Sequence, residues 1–184
     1  MFIQTESTPN PATLKFLPGC QILEKGSANF ANPEAARRSP LAERLFQTEG
    51  VANIFLGSDF ITVTKTDEKD WDVLKPLILG AVMEHFTAGN PVMTETGEKS
   101  DNDSGSGSAV EAQIKELLDT RVRPAVAQDG GDIVFREYKN GIVYLEMYGA
   151  CSGCPSSSIT LKNGIENLLK HYIPEIVEVR SVQE

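Results

Sequence analysis

Residues 142–162 read IVYLEMYGACSGCPSSSITLK, and they join an alternating apolar run to a Ser-rich, helix-forming one. The alternation predicts a strand over residues 142–148, and Pro155 stands where Pro is favoured, at the first position of a helix. The loop between them contains Cys151 and Cys154 at C-x-x-C spacing. Because the free N–H groups and the dipole of a helix N-terminus favour negative charge, both thiolates would be stabilised there. The stretch predicts a strand–loop–helix unit that holds two chemically competent thiols.

The flanking sequence completes a small domain over residues 109–184. Apolar residues at helical spacing predict a first helix, which Pro124 bends, and Lys139-Asn140-Gly141 predicts a hairpin turn. Pro174 stops the second helix. The predicted elements are a helix at 110–122, strands at 133–138 and 142–148, a helix from Pro155 to about His171, and a strand at 176–182. The order is therefore α-β-β-α-β, with the C-x-x-C loop before the second helix.

Residues 94–108, TETGEKSDNDSGSGS, contain no apolar side chain. Such a composition cannot bury enough surface to offset its ordering entropy, which predicts a disordered linker. The linker divides the chain into domains at 1–93 and 109–184. In the first domain we predict strands at 13–17 and 20–23, a helix at 41–47 after Ser39-Pro40, a hairpin from 51–56 and 60–66, and a helix from Asp70 onward. The predicted fold class is mixed α+β, in two small domains on a flexible linker.

Composition excludes several classes of protein. The chain has 184 residues with 17 basic and 26 acidic side chains, a net charge of −9, which disfavours a nucleic-acid partner. No apolar run approaches the roughly 20 residues that cross a bilayer, so no membrane partner is expected. Three cysteines are too few for a disulfide scaffold and indicate a reducing compartment. We expect a cytoplasmic protein, because the start at Met1 favours the cytoplasm over a processed organellar form.

Cys151 and Cys154 leave three functions open. A closed zinc site or an iron–sulfur cluster takes about four protein ligands, and one chain offers two here. Two chains that each give both cysteines to a shared centre at a two-fold interface solve this shortage, and ligands lost on separation suit a cluster carrier. A thioredoxin-like dithiol oxidoreductase also places C-x-x-C at a helix N-terminus. A structural zinc-bridged dimer is the third interpretation.

The other candidate ligands are expected to have structural roles. Cys20 lies in the other domain and is interpreted as a plain thiol at the head of a strand. We expect His85 on the surface of its helix, and His171 lies at the far end of the helix that follows the cysteines. Asp129 and Asp132 are interpreted as polar residues of a helix end and a strand start, since thiolate-rich iron sites rarely need carboxylates.

The combined motifs resemble a known family. Arg123-Pro124, Asp129-Gly130-Gly131-Asp132 and residues 149–162 are similar to the C-terminal domain of NifU, the Nfu-type module. Residues 8–16, 39–42 and 55–65 are similar to the Nfu N-terminal domain. Together these modules cover nearly the whole chain apart from the linker.

The resemblance implies a function of the binding class, not an enzyme. It implies an iron–sulfur cluster scaffold or carrier that holds a [4Fe-4S] cluster, or a [2Fe-2S] cluster, between two subunits, with Cys151 and Cys154 as ligands. Such a homodimer would receive the cluster from an upstream assembly scaffold and deliver it to apo iron–sulfur proteins. The resemblance assigns client or partner recognition to the N-terminal domain.

Overall fold

The computed structural model describes residues 2–94, 108–152 and 155–182, without the side chains of residues 155–158. The chain forms two compact units, Met1–Ser100 and Asp101–Glu184. Both units combine helices with a sheet, which confirms the predicted mixed α+β fold. Most of the predicted linker, residues 95–107, lies outside the described residues. Of its two ends, Thr94 donates its N–H to the Arg38 carbonyl over 3.0 Å, and the Ser108 hydroxyl accepts from the N–H of Glu111.

The N-terminal unit is an antiparallel five-stranded sheet with the strand order β1-β2-β5-β4-β3. One apolar core joins the sheet to the helices, with Phe16, Ile54 and Val63 from the strands, Leu45 from the second helix and Ile78 from the third. The elements are β1 (Gln4–Ser7), β2 (Thr13–Leu17), β3 (Ala28–Phe30), α1 (Pro33–Ala36), α2 (Pro40–Phe46), β4 (Val51–Leu56), β5 (Ile61–Lys65) and α3 (Trp71–Thr87).

The predicted strand at residues 20–23 is wrong. Gly19 turns the chain with a φ of 76°, and the segment then caps the β4–β5 hairpin, because Ile22 and Leu23 both donate their N–H groups to the Ser58 carbonyl. Cys20 is therefore a half-buried loop residue and does not head a strand. The edge strands β1 and β3 and the short helix α1 were not predicted.

His85 is buried, contrary to the expectation of a surface position. It is 2% exposed and continues the buried stripe of α3 formed by Leu74, Ile78 and Val82. Its Nε2 atom has no hydrogen-bond partner among the described residues. Burial lowers the pKa of His85, and the nearby charge of Arg44 acts in the same direction. The N-terminal unit therefore holds a histidine that is more easily protonated after unfolding.

The C-terminal unit has the predicted α-β-β-α-β order. Its first helical stretch is continuous through a π turn, and its sheet has the strand order β6-β7-β8. The elements are α4 (Ala109–Leu117), the π turn (Leu118–Val122), α5 (Arg123–Gln128), β6 (Gly131–Lys139), β7 (Ile142–Gly149), α6 (Pro155–Tyr172) and β8 (Glu178–Val182).

The π turn keeps one apolar stripe on the core. Ile114, Leu118, Val122 and Val126 are all buried and recur at every fourth residue. A regular α-helix repeats every 3.6 residues, so a strict four-residue repeat would drift around its surface. The i→i+5 hydrogen bonds of a π turn place more residues in one turn and reduce that drift. All four side chains therefore reach the same core.

The topology puts the cysteine loop at a strand end. β6 and β7 form an antiparallel hairpin through Asn140 and Gly141, whose φ values of 53° and 78° fit a type I′ turn. β7 then pairs with β8 in parallel, and α6 makes the crossover between them. In open α/β sheets, ligands bind at the carboxyl ends of strands. The loop after β7 occupies this position.

No helix in the parts of the chain that the structure describes is long and apolar enough to cross a membrane.

Two glycines of the C-terminal unit should respond oppositely to alanine. A Cβ at Gly141 would lie 2.8 Å from Val177 Cγ2 on a backbone of positive φ, whereas a Cβ at Gly164, inside α6, meets nothing within 4 Å. We expect Gly141→Ala to lower the free energy of unfolding by about 1–3 kcal/mol and Gly164→Ala to raise it by about 1 kcal/mol. Urea unfolding followed by near-UV circular dichroism of the tyrosines, which all lie in this unit, measures both changes. Equal effects of the two substitutions would contradict the described turn.

Stability of the N-terminal unit should depend on pH through His85. A histidine in the unfolded chain titrates near pH 6.5, and its pKa is lower in the folded unit, so the unfolded state binds more protons as the pH falls. The free energy of unfolding should therefore decrease between about pH 7.5 and pH 5.5. Fluorescence of Trp71, the single tryptophan, reports this unit in urea titrations. His85→Gln should flatten the dependence, and an unchanged slope in that variant would refute the assignment.

Candidate functional site

The candidate site lies in the loop after β7, at the point where this loop contacts the start of β6. Gly131 and Gly149 pair across the two strands. The Ala150 N–H donates to the Gly130 carbonyl over 3.1 Å, which extends the ladder one step past the strand ends. The Ser152 N–H donates back to the Gly149 carbonyl, also over 3.1 Å. These bonds fix the backbone on both sides of Cys151.

The Cys151 sulfur lies in a backbone recess at Gly131. Cys151 is 7% exposed and belongs to the apolar core of the C-terminal unit. A Cβ added to Gly131 would lie 2.6 Å from Cys151 Sγ and 2.8 Å from the Tyr148 carbonyl oxygen. Real Cβ atoms do not approach other atoms so closely, so only glycine leaves room for the sulfur. We call this recess, formed by Gly131 and the Tyr148 carbonyl, the sulfur seat.

Cys154, the second predicted ligand, lies outside the described residues. Helix α6 begins at Pro155, as the sequence predicts, so the helix starts directly after the C-x-x-C motif. The peptide dipoles of an 18-residue helix favour negative charge at its N-terminus.

An ion pair between the buried Asp132 carboxylate and the half-exposed Arg123 lies next to the sulfur seat. The Asp132 side chain is 8% exposed, and its two carboxylate oxygens accept from Arg123 Nε and Nη2 at 2.9 Å each. Its Oδ1 also accepts from the Ile133 N–H over 2.8 Å. The hydrogen bond to Asp132 raises the pKa of Arg123, which stays charged. Arg123 also donates from Nη1 to Asp119 over 3.1 Å. Asp132 therefore lies at the start of a strand, as the sequence predicts, and its carboxylate is held there by Arg123.

The outer face of β7 is also polar near the site. Arg136 Nη2 donates to the Tyr148 hydroxyl over 2.8 Å, and Arg136 is ion-paired with Glu146. Burial and the hydrogen bond to Glu146 raise the pKa of Tyr148 to about 12. The phenol is therefore neutral at physiological pH.

The remaining sequence candidates lie apart from Cys151. His171 is in the last turn of α6, about 24 Å along the helix axis from Pro155 at 1.5 Å per residue. Cys20 and His85 belong to the N-terminal unit. Among the described residues, no group of three or more His, Cys, Asp or Glu side chains is placed to hold a metal ion.

Sequence reasoning missed the sulfur seat and the contribution of Arg123. Gly130, with a φ of 79°, makes the turn after α5, and Gly131 begins β6. The second glycine was the available signal, since a glycine at a strand start often marks a close approach. The pairing of Arg123 with Asp132 depends on the phase of the π turn, which local patterns do not show.

Two protein-family models match the chain, one in each unit. The family model described as "Scaffold protein Nfu/NifU N terminal" matches residues 3–89, and the one described as "NifU-like domain" matches residues 114–180. A solved NMR structure of a NifU-like protein from Saccharomyces cerevisiae is 29% identical, with a TM-score of 0.47, over 52% of this chain and 86% of that chain.

Two curated relatives match nearly all of the chain. The Homo sapiens protein "NFU1 iron-sulfur cluster scaffold homolog, mitochondrial" is 51% identical over 185 residues, which cover 100% of this chain and 73% of the human protein. The Arabidopsis thaliana protein "NifU-like protein 4, mitochondrial" is 52% identical over 181 residues, which cover 96% of this chain and 64% of that protein. The chain thus spans between about two thirds and three quarters of the length of these relatives. It belongs to the family of Nfu-type iron–sulfur cluster scaffolds, which are not enzymes, and contains an Nfu N-terminal domain followed by a NifU-like domain.

Proposed function

We propose that the C-terminal unit binds an iron–sulfur cluster as cargo through Cys151 and Cys154 and transfers it to apo-proteins. The observation that carries the proposal is the position of Cys151, a buried sulfur seated on the backbone of Gly131 at the end of β7. Helix α6 begins four residues later and favours the thiolate form. The human relative is named as an iron–sulfur cluster scaffold, which supports the same chemistry.

Ligand number favours a cluster shared by two copies of the chain. Both [4Fe-4S] and [2Fe-2S] clusters are commonly held by four cysteine thiolates. One copy supplies Cys151 and Cys154, and Cys20 belongs to the other unit. Two copies related by a two-fold axis supply the full set. We assign a [4Fe-4S] cluster between two subunits, with a homodimer as the loaded form.

Transfer then proceeds by ligand exchange. A thiol of the client protein loses its proton as its sulfur forms a bond to iron. The bond between iron and one carrier thiolate breaks, and the released carrier thiolate takes up that proton. No electron moves, and four such exchanges deliver the intact cluster. Separation of the two copies removes half of the ligands, which favours release over permanent storage.

The proposed partners follow from this chemistry. Apo iron–sulfur proteins are the clients, an upstream assembly scaffold is the donor, and the N-terminal unit is proposed to recognise a client or partner. The net charge of −9 disfavours nucleic acid as a partner.

Location is part of the proposal. Reduced thiols require a reducing compartment, and we infer the cytoplasm, while the human and Arabidopsis relatives are named as mitochondrial. Immunodetection of the native chain in fractionated cells should find it in the cytosolic fraction. Recovery within an organelle would overturn the cytoplasmic assignment and leave the cluster chemistry intact.

Replacement of either proposed ligand should abolish cluster binding. Anaerobic reconstitution with iron and sulfide should give broad visible absorbance and about four iron atoms per two chains, the content of one [4Fe-4S] cluster. Cys151→Ala and Cys154→Ala should each remove this absorbance, because either substitution leaves two copies of the chain with only two of the four thiolate ligands. Cys20→Ala is the matched control and should retain the full yield.

An unchanged cluster yield in Cys151→Ala or Cys154→Ala would defeat the assignment. Two other outcomes identify the alternative functions. Disulfide reduction by a metal-free monomer would indicate a dithiol oxidoreductase. Zinc as the dominant metal, with unfolding on chelation, would indicate a structural zinc dimer.

A further inference from the structure

The ion pair of Arg123 and Asp132 is placed to act on Cys151 through the backbone. Asp132 follows Gly131 directly and pairs with Tyr148 across the strands. Gly131 and the Tyr148 carbonyl are the two sides of the sulfur seat. A shift of Asp132 would therefore move the recess that holds the Cys151 sulfur.

The pair is also costly to maintain. A buried carboxylate loses its hydration, and an ion pair compensates only when its geometry is good. Here both oxygens of Asp132 meet the fork of Arg123 at 2.9 Å, a bidentate arrangement that lysine cannot reproduce. The two parallel hydrogen bonds fix both the distance and the orientation of the Asp132 carboxylate relative to Arg123. They therefore hold the start of β6, which contains Gly131 of the sulfur seat.

Arg123, the helical member of the pair, is itself held in place by its neighbours in the helix. Arg123 is the first residue of α5 and follows the π turn directly. It is held from the other side by Asp119, four residues earlier. The phase of the π turn thus sends Leu118 and Val122 to the core while Arg123 reaches Asp132.

We propose that Arg123 and Asp132 are positioning residues for the Cys151 ligand. They act through the sulfur seat, because Asp132 directly follows Gly131 and pairs with Tyr148. The inference rests on the proposed role of Cys151 as a cluster ligand. It assigns the pair no contact with the cluster. Its effect is to keep the Cys151 sulfur buried and correctly directed before and after the cluster binds.

The first measurement needs no cluster. In the full chain carrying Cys20→Ala and Cys154→Ala, Cys151 is the single thiol, and its rate of alkylation by iodoacetamide reports how often the seat opens. Gly131→Ala places a methyl group in the seat, so its alkylation rate gives the upper limit for a seat that no longer holds the sulfur. Arg123→Gln should raise the rate about 10–100-fold, because it leaves the buried Asp132 carboxylate without its charged hydrogen-bond partner. Asp132→Asn, which keeps the shape, should raise it less, and the double variant Arg123→Gln/Asp132→Asn should recover part of the protection.

The second measurement follows cluster retention. With all three cysteines present, reconstituted Arg123→Gln should lose its visible absorbance to a chelator about 10–100-fold faster than the unmodified chain, the range seen for residues that orient metal ligands. Arg123→Lys, which keeps the charge, should still lose it faster because the bidentate contact is absent.

A matched control separates positioning from general stability. Glu166 in α6 also accepts from a cation, Lys170 at 2.6 Å, and from a backbone N–H, that of Val179 at 3.2 Å. Glu166→Gln should change neither rate by more than about twofold, because Glu166 is more exposed than Asp132 and has no contact with the sulfur seat.

The proposal is overturned if Arg123→Gln leaves the alkylation rate unchanged, or if Glu166→Gln raises it equally at the same free energy of unfolding. If Arg123→Gln does not fold, as circular dichroism would show, Arg123→Lys and Asp132→Asn decide on the same criterion. Failure of the cluster proposal would appear separately, as retained absorbance in Cys151→Ala with the alkylation results intact.

Discussion

The contact between the Cys151 sulfur and the backbone of Gly131 is the constraint on which the C-terminal unit depends. It requires a residue without a side chain at the start of β6, and it requires β6 and β7 to end in register. The hydrogen bond from Ala150 to Gly130 continues that register into the loop. The Cys151 sulfur therefore lies at the end of β7, shortly before the N-terminus of α6. The pairing of β6 with β7 and the glycine at position 131 hold it there.

This arrangement reconciles two opposing needs of a cluster scaffold. Iron–sulfur chemistry depends on the burial and hydrogen bonding of the ligand sulfurs, so a ligand must be held firmly. A cargo must also leave, so the complete ligand set cannot be permanent. In the proposed mechanism, the fold of one unit holds the ligand in its seat, and the cluster is released when two copies of the chain separate.

Local patterns predicted the parts of the fold that local chemistry determines. Lys139-Asn140-Gly141 defined its hairpin, Pro155 defined the start of α6, and Ser39-Pro40 defined the start of α2. Patterns failed where distant residues decide. The segment after Cys20 donates its N–H groups to the Ser58 carbonyl and does not form a strand. Tertiary packing buries His85 on the face of α3 that also contains Leu74, Ile78 and Val82. Of the candidate site, the sequence shows the C-x-x-C spacing, whereas the seat at Gly131 forms only when β6 and β7 pair.

Native mass spectrometry of the anaerobically reconstituted chain tests the central claim most directly, because it counts chains and cluster atoms in the same particle. We expect one dominant loaded species, with the mass of two chains and one [4Fe-4S] core, and chains without a cluster as the remainder. A loaded species with the mass of a single chain and a complete cluster, without an added thiol ligand, would contradict that claim.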